Sequence, residues 1–254
     1  MIFIYMVGTA GSGKSSMTAA FHDWCLRQEF DAITVNLDPG VDELPYTPHV
    51  DVREWISLQD VMQEYGLGPN GAQVVCADEV ALNAGEVERR ISEFRSDYVL
   101  LDTPGQLELF VFRRTGRVIV DQLSREQTML SFVIDPSLAT TPTSFVSQLM
   151  LSAITQFRIP VPLINVLSKR DIVEQEALDM ILEWGERPEK LYDAVMVDAP
   201  SLYYQLSEGM MAVIKEMEAH TDLIPVSNET LEGMEDVYAA VQKVFMGGED
   251  LERA

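Results

Sequence analysis

A short segment near the start of the chain has the composition of a loop that binds phosphate. It reads GTAGSGKS from Gly8 to Ser15 and directly follows the apolar run IFIYMV. The glycines allow the backbone to turn without Cβ clashes, so that successive N–H groups can point inward at phosphate oxygens. The segment also fits the pattern GxxxxGK(S/T) of the P-loop, whose ligand is a nucleoside triphosphate. We therefore expect the chain to bind such a nucleotide here.

Individual residues of this P-loop supply different chemistry. Lys14 places an ammonium against the β and γ phosphates, and the Ser15 hydroxyl is short enough to ligate the Mg²⁺ that bridges them. A helix predicted to begin near Lys14 adds the positive end of its dipole. The residues expected to contact the nucleotide are Gly8, Ala10, Gly11, Ser12, Gly13, Lys14, Ser15 and Ser16.

Short apolar runs alternate with longer segments of helical periodicity along the chain. The runs are Ile2 to Val7, Ala32 to Leu37, Tyr98 to Leu101, Met129 to Ile134, Val161 to Val166 and Leu223 to Val226. Because the runs are almost wholly apolar, we expect strands that are buried on both faces of a sheet. The sequence thus predicts an α/β fold, a three-layer P-loop NTPase with a mostly parallel central sheet flanked by helices.

Ligands of such sheets bind at the carboxyl ends of the strands. The polar residues that follow the runs there are Asp38, Asp102, Asp135, Lys169 and Ser227. Two stretches interrupt the alternation: 42–73, rich in Pro and Gly, is predicted to be a functional loop region, and about 174–221 a helical insertion. We predict one domain over residues 1–246 and a flexible tail over 247–254.

The segment YVLLDTPGQ joins a buried strand to a turn that can face the phosphates. Asp102 at the strand end is expected to anchor Mg²⁺ through a bound water, and the N–H of Gly105 to reach the γ-phosphate. Gln106 could orient the attacking water. On its own DTPG is also compatible with an ordinary turn, but it stands about ninety residues after the P-loop, which makes the motif more specific.

Asp38 closes NLDP after the second apolar run and has two interpretations. At the first switch position its carboxylate could bind either Mg²⁺-bound water or the nucleophilic water. The alternative is an aspartate that forms a turn before Pro39.

The segment SKRD, from Ser168 to Asp171, resembles the NKxD motif that recognises guanine. Lys169 would lie along the purine and ribose, and the Asp171 carboxylate would accept hydrogen bonds from N1–H and the exocyclic amine. Adenine has an acceptor at N1 and no 2-amino group, so it would leave the carboxylate unpaired. Such a mismatch can give a discrimination of ~10⁴. Ser168 replaces the usual Asn, and Asp171 could instead cap the next helix. Ser227 in PVSN is a further base-side candidate.

Composition limits the class of partner and the compartment. The chain has 254 residues, 47% of them hydrophobic, and a net charge of −23. This charge repels nucleic acid, so we expect no direct nucleic-acid partner. Only two cysteines occur, and no apolar stretch reaches the ~18 residues that span a bilayer. A strand predicted from residue 2 leaves no room for a signal peptide. We expect a soluble, cytoplasmic protein that makes no membrane contact.

One further tripeptide, Gly68 to Asn70 within YGLGPNGA, completes a set of motifs. GTAGSGKS, NLDP, LGPNG, DTPGQLE, SKRD and PVS occur in this order over nearly the whole chain. In this order and spacing the chain resembles the GPN-loop GTPases. The resemblance implies a homodimeric P-loop GTPase of the SIMIBI class, with a GPN loop at 66–72 that reaches toward the partner's nucleotide. It also implies that Asn70 presents its amide near the γ-phosphate and that protein clients belong to RNA polymerase assembly.

The residues give a physical reason to consider Asn70. MinD-type loops have an early lysine that serves the partner subunit, whereas this chain has Thr9 and Ala10 there. Asn70 is neutral and can position water but cannot neutralise charge, so we expect slow turnover. Arg113 and Arg114 are alternative fingers, although they also fit a solvated edge or an interface.

The sequence therefore predicts a GTPase that hydrolyses GTP to GDP and phosphate in a nucleotide-dependent homodimer, as a molecular switch or assembly factor. Its cofactor is Mg²⁺ with GTP or GDP, held by Ser15 and Asp102, and its water-positioning candidates are Asp38, Asn70 and Gln106. Two alternatives remain: a P-loop small-molecule kinase, or a nucleotide-gated scaffold with little hydrolysis.

Overall fold

A computed structural model describes residues 1–123, 127–198, 204–216 and 222–246. The predicted tail at 247–254 and parts of the predicted insertion lie outside the described residues. The chain divides into two compact units. The first comprises Met1–Ser131 with Arg158–Pro162, and the second comprises Phe132–Phe157 with Leu163–Ala254. The prediction of a single domain over 1–246 stays a prediction.

The central feature is a seven-stranded sheet whose order is β3-β2-β4-β1-β5-β6-β7. Its strands are β1 (Ile2–Val7), β2 (Ala32–Asn36), β3 (Val50–Asp51), β4 (Tyr98–Asp102), β5 (Thr128–Ile134), β6 (Leu163–Leu167) and β7 (Leu223–Pro225). The register-matched pairs β1–β4, β2–β4, β2–β3 and β6–β7 are all parallel. The predicted class of fold, a parallel α/β sheet flanked by helices, is confirmed.

The α-helices of the described residues follow the strands, as the periodicity predicts. They are α1 (Lys14–Arg27), α2 (Leu58–Tyr65), α3 (Pro69–Leu82), α4 (Ala84–Ile91), α5 (Arg114–Leu123), α6 (Pro142–Arg158), α7 (Gln175–Glu186), α8 (Pro188–Asp198), α9 (Tyr204–Glu216) and α10 (Met234–Met246). A π-helix covers Glu108–Phe112. None of the described helices is long and apolar enough to cross a membrane.

The core lies on both faces of the strands. Every residue of β1, β2, β4 and β5 is buried. Two-sided burial explains why these strands read as continuous apolar runs rather than as alternating patterns. It also fixes the sheet edge at which the polar residues after each strand must emerge.

The stretch 42–73, predicted to be a loop region, is more regular than the sequence pattern indicated. It contains β3, a 3₁₀ turn at Val52–Glu54, all of α2 and the start of α3. The Ser57 hydroxyl caps α2 by accepting a hydrogen bond from the N–H of Asp60, and Gly66 ends α2 in the left-handed conformation. Pro69 then opens α3 in the first turn, where its missing N–H costs nothing. The prediction of a loop was therefore wrong over most of this stretch.

Candidate active site

The P-loop in the first unit has the backbone that its glycines predict. Gly11 and Gly13 have φ of 76° and 96°, a region that side chains with a Cβ avoid. Gly13 is the N-cap of α1, so the helix begins at Lys14. The first N–H groups of α1, which come before the helix's own i to i−4 hydrogen bonds, therefore point toward the loop, as anion binding requires.

Lys14 lies at the mouth of this loop. It is only 5% exposed, and its ammonium donates to the carbonyls of Gly8, Thr9 and Gly105 at 3.1, 3.0 and 3.1 Å. Burial lowers the pKa of Lys14, while the carboxylates of Asp102 and Asp38 oppose this shift. The ammonium thus joins the P-loop to the glycine of the DTPG turn.

Asp102 ends β4 beside the P-loop and is 1% exposed. Its Oδ2 accepts a hydrogen bond from the Tyr46 hydroxyl at 3.0 Å, whereas its Oδ1 has no hydrogen-bond partner among the described residues. Burial raises the pKa of Asp102 to about 6, against the lowering effects of Ser15, Tyr46 and Lys14. A buried carboxylate oxygen without a donor is a ready acceptor for a cation or its bound water.

These donors fit Mg²⁺ of the kind that shares phosphate oxygens. Ser15 and Asp102 would hold it from the protein side. Their side chains are close enough for the Ser15 hydroxyl to lower the pKa of the Asp102 carboxyl. Within the described residues no cluster of three or more His, Cys, Asp or Glu could hold a metal by itself. Mg²⁺ that keeps waters and takes its other ligands from nucleotide phosphates matches such a sparse donor set.

Asp38 and Gly105, predicted to lie near the γ-phosphate, are brought together. Asp38 Oδ2 accepts the N–H of Gly105 at 2.9 Å, and Oδ1 accepts the N–H of Gly40 at 2.9 Å. The second bond is the turn-forming role that was the alternative for Asp38. Because the turn at Gly40 uses only Oδ1, Oδ2 can still accept the hydrogen bond from Gly105 in the DTPG segment.

Gln106 and Asn70 stand apart from these contacts. Both are exposed, and none of the side-chain hydrogen bonds in the described part of the chain uses either amide. Asn70 lies in the first turn of α3 rather than in a loop. Arg113, considered as an alternative finger, forms an ion pair with Asp78 at 2.7 Å. The structure therefore gathers Asp38 at the P-loop but joins neither amide to it.

The second unit contains the residues predicted to recognise the base. Lys169 has a left-handed φ of 57°, and its ammonium donates to Asp135 at 2.6 Å. Although burial raises the pKa of Asp135, the hydrogen bond from Lys169 holds it below its ordinary value. Asp171 is exposed within a 3₁₀ turn, and the N-cap position of α7 is Glu174, whose side chain makes no capping hydrogen bond. The alternative that Asp171 caps this helix is therefore wrong.

The last loop of the second unit contains Ser227, and its predicted contact with the base stays a prediction. The Ser227 hydroxyl accepts the N–H of Thr230 at 3.1 Å, so it shapes the turn. The next residue, Asn228, has a buried Oδ1 with no hydrogen-bond partner among the described residues. The sequence pattern offered no reason to single out Asn228, although it closes PVSN, because the burial of its amide oxygen shows only in the structure. Tyr46 belongs to none of the quoted motifs, and only its proximity to Asp102 reveals it.

A glycine loop at the start of a helix, an aspartate at the end of a neighbouring parallel strand and a lysine between them define a P-loop nucleotide-binding protein. A family model described as "Conserved hypothetical ATP binding protein" matches residues 6–247. The chain is 32% identical over 238 residues to the GPN-loop GTPase PAB0955 of Pyrococcus abyssi, which covers 93% of this chain and 94% of the relative. This chain therefore belongs to the GPN-loop GTPase family.

Other similarities agree with this assignment. GPN-loop GTPase 1 of Schizosaccharomyces pombe is 31% identical over 251 residues, spanning 94% of this chain and 67% of the relative. GPN-loop GTPase 1 of Dictyostelium discoideum is longer, and this chain spans 62% of its length. The crystal structure of PAB0955 from Pyrococcus abyssi, a GTPase in apo form, superposes with a TM-score of 0.86 and 29% identity, covering 96% of this chain and 97% of that one.

Proposed function

We propose that the protein hydrolyses GTP to GDP and phosphate. The observation that supports this most directly is the convergence on the P-loop of Lys14, Asp102 and the Asp38–Gly105 pair, within a family whose characterised relatives are named GTPases. Phosphoryl transfer needs positioning and charge stabilisation more than covalent chemistry. This cluster supplies both.

Each residue of the cluster has a defined task. The backbone N–H groups after Gly13 and the Lys14 ammonium bind the phosphates and stabilise the negative charge that grows on them. Mg²⁺ bound between Ser15 and Asp102 would neutralise charge on the β and γ phosphate oxygens. Asp38, half-buried and directed at the DTPG turn, is the candidate to accept a hydrogen bond from the attacking water.

The base is selected by Asp171. Its carboxylate is exposed, it does not cap α7, and the ammonium of neighbouring Lys169 is fixed by Asp135. A carboxylate complements the N1–H and exocyclic amine of guanine but leaves adenine unmatched, so we propose guanine over adenine. Asn228, with its buried amide oxygen, is a further candidate for contact with the base or ribose.

We further propose that the active form is a homodimer in which Asn70 acts on the partner's nucleotide. This proposal is supported by the exposure of Asn70 at the start of α3, where its amide makes no contact with its own P-loop among the described contacts. A neutral amide can orient water but cannot neutralise charge, so turnover is slow. A slow GTPase suits a switch or assembly factor in the cytoplasm, with RNA polymerase assembly proposed from the family resemblance alone.

Hydrolysis of four triphosphates tests the nucleotide proposal. Wild-type protein should release phosphate from GTP with Mg²⁺, and not from ATP. Asp171→Asn should favour XTP, because xanthine replaces the 2-amine by a carbonyl that an amide N–H can match. ITP, which lacks the 2-amine, should fall between GTP and ATP. Equal use of ATP and GTP by clean wild-type protein would contradict the proposal.

Oligomeric state with each nucleotide tests the dimer. Asn70→Ala should lower turnover and leave GTP affinity within about threefold, since the amide would meet only the partner's γ-phosphate. Asn83→Ala, at the opposite end of the same helix, is a matched control. If light scattering shows a monomer with GTP bound and this monomer still hydrolyses GTP at the full rate in phosphate-release assays, the homodimer is refuted.

A further inference from the structure

Asn36 ends β2 two residues before Asp38, and the motifs of the sequence assign it no role. It is fully buried, at 0% exposure, and is aligned with Asp102 of β4 on one side and Asp51 of β3 on the other. A buried amide must find partners for its oxygen and for both of its N–H groups. The partners that Asn36 uses are therefore informative.

Two of these bonds fix the main chain of Asp38. Asn36 Oδ1 accepts the N–H of Asp38 at 3.0 Å, and Asn36 Nδ2 donates to the carbonyl of Asp38 at 3.1 Å. The amide thus grips both backbone polar groups of Asp38 and leaves its carboxylate free to reach Gly105 and Gly40. Because these two hydrogen bonds hold the main chain of Asp38, they also set the direction of its side chain.

The remaining N–H of Asn36 donates to Asp51 Oδ1 at 2.9 Å. Asp51 is in turn held by Arg53, whose Nε and Nη2 donate to Oδ2 at 3.0 and 2.7 Å. Although burial raises it, the donors Arg53 and Asn36 hold the pKa of Asp51 below its ordinary value, so the carboxylate stays charged. Asp51 is therefore a fixed acceptor that orients the Asn36 amide.

Arg53 extends the same network along the chain after Asp38. Its Nη1 donates to the carbonyls of Val41 and Asp42 at 3.0 and 3.1 Å. The segment that leaves Asp38 is thus tied back to the short strand β3. All members of this network lie in the first unit.

We propose that Asn36 and Asp51 are positioning residues for hydrolysis: the chain of bonds from Arg53 through Asp51 and Asn36 sets Asp38 so that its carboxylate meets Gly105. The inference rests on the proposed GTPase function and assigns to these residues no contact with the nucleotide. A misplacement of about 1 Å at a reacting group can cost ~10²-fold in rate, which is the size of effect that loss of this network should produce.

Exchange of the two side chains provides a sharp test. Asn36→Asp sets two carboxylates against each other where one N–H···O bond stands at 2.9 Å, and Asp51→Asn sets two amides there. The double variant Asn36→Asp with Asp51→Asn restores the hydrogen bond between these two side chains with its direction reversed, but not the donor to the Asp38 carbonyl, so its recovery is partial. We expect Asn36→Asp to lower kcat about 10- to 100-fold with GTP Kd within about threefold, and the double variant to recover kcat by about three- to tenfold.

The matched control breaks an aspartate–arginine pair away from this network. Asp121 pairs with Arg117 at 2.8 Å on α5, so Asp121→Asn should leave kcat and Kd unchanged. Equal losses of kcat and of GTP affinity that the double variant does not recover would overturn the proposal, as would an unchanged kcat in Asn36→Asp.

A second readout requires no hydrolysis. The hydrogen bond to the Asp38 carboxylate should shift the Gly105 amide proton downfield in spectra of ¹⁵N-glycine-labelled protein, with the peak assigned by its loss in Gly105→Ala. Asn36→Asp should move this peak upfield, and the double variant should return it part of the way. If wild-type protein hydrolyses no GTP, the proposed function fails while this measurement still decides the positioning. An unmoved Gly105 peak in Asn36→Asp would refute it.

Discussion

Gly116 lies in α5, directly beneath the π-helix that follows the DTPGQ segment. A Cβ placed on Gly116 would stand 2.1 Å from the carbonyl oxygen of Phe110, 2.9 Å from its carbonyl carbon and 3.1 Å from its ring. Because nonbonded carbon and oxygen need about 3 Å or more, Gly116→Ala requires either the helix or the π-helix to move by about 1 Å. The obstacle is backbone and cannot rotate away.

The size of the effect follows from two opposing contributions. Overpacking of this kind costs about 1–3 kcal/mol, with the upper half expected against backbone, while alanine in a helix gains about 1 kcal/mol over glycine. The net loss is about 1–2 kcal/mol, which corresponds to a Tm lower by about 2–8 °C for a chain of this length. Gly85 in α4 has no heavy atom within 4 Å of its would-be Cβ, so Gly85→Ala gains only the helix contribution.

Thermal unfolding by circular dichroism and urea titration of both variants provide the test. Gly116→Ala should unfold earlier than wild type and Gly85→Ala at the same temperature or later. GTP turnover of Gly116→Ala at 25 °C should also fall, since Phe110 belongs to the π-helix that begins two residues after Gln106. A Gly116→Ala variant at least as stable as wild type would show that the packing argument is wrong.

Three further predictions concern single side chains. Lys14→Ala should weaken GDP and GTP binding at least about tenfold in calorimetry, because it removes a charged donor from the phosphates; unchanged affinity would refute that role. Asp135→Asn should weaken binding of guanine nucleotides several-fold while Tm changes little, since it releases the Lys169 ammonium now held at 2.6 Å; equal affinity in fluorescence titrations would contradict this. His49 Nδ1 accepts the N–H of Thr34 and its pKa lies below the ordinary 6.5, chiefly through burial, so its contribution to stability is present above pH 6.5 and is lost as pH falls below it. Urea midpoints from pH 5 to 7.5 should therefore slope more steeply for wild type than for His49→Asn, and parallel curves would exclude this contribution.

The sequence predicted the parts of the site that depend on short segments. A glycine-rich loop after a buried run fixes the P-loop, and the aspartate that follows a strand must emerge at the carboxyl end of the sheet. Asp38, Asp102 and Lys169 all follow apolar runs at this end of the sheet, and the motifs NLDP, DTPGQ and SKRD indicated the same residues. Their positions follow from local chain geometry, which the sequence expresses directly.

Other parts of the site could not be predicted because they depend on contacts between distant segments. Tyr46 meets Asp102 across 56 positions of sequence, and Asn36 meets Asp51 across 15. The strand β3 has two residues, too few for any periodic pattern. The start of α3 was misassigned because Gly-Pro is typical of loops, although proline also favours the first turn of a helix.

The two margins of the sheet limit how copies of this chain can associate. One margin is β3, with two residues, and the other is β7, with three residues that end at Pro225, which has no N–H to offer. Within the residues that the structure describes, neither margin presents a long row of unpaired peptide groups on which another polypeptide could extend the ladder. The dimer proposed above would therefore be built from helix faces and loops, where a rearrangement costs no sheet hydrogen bonds.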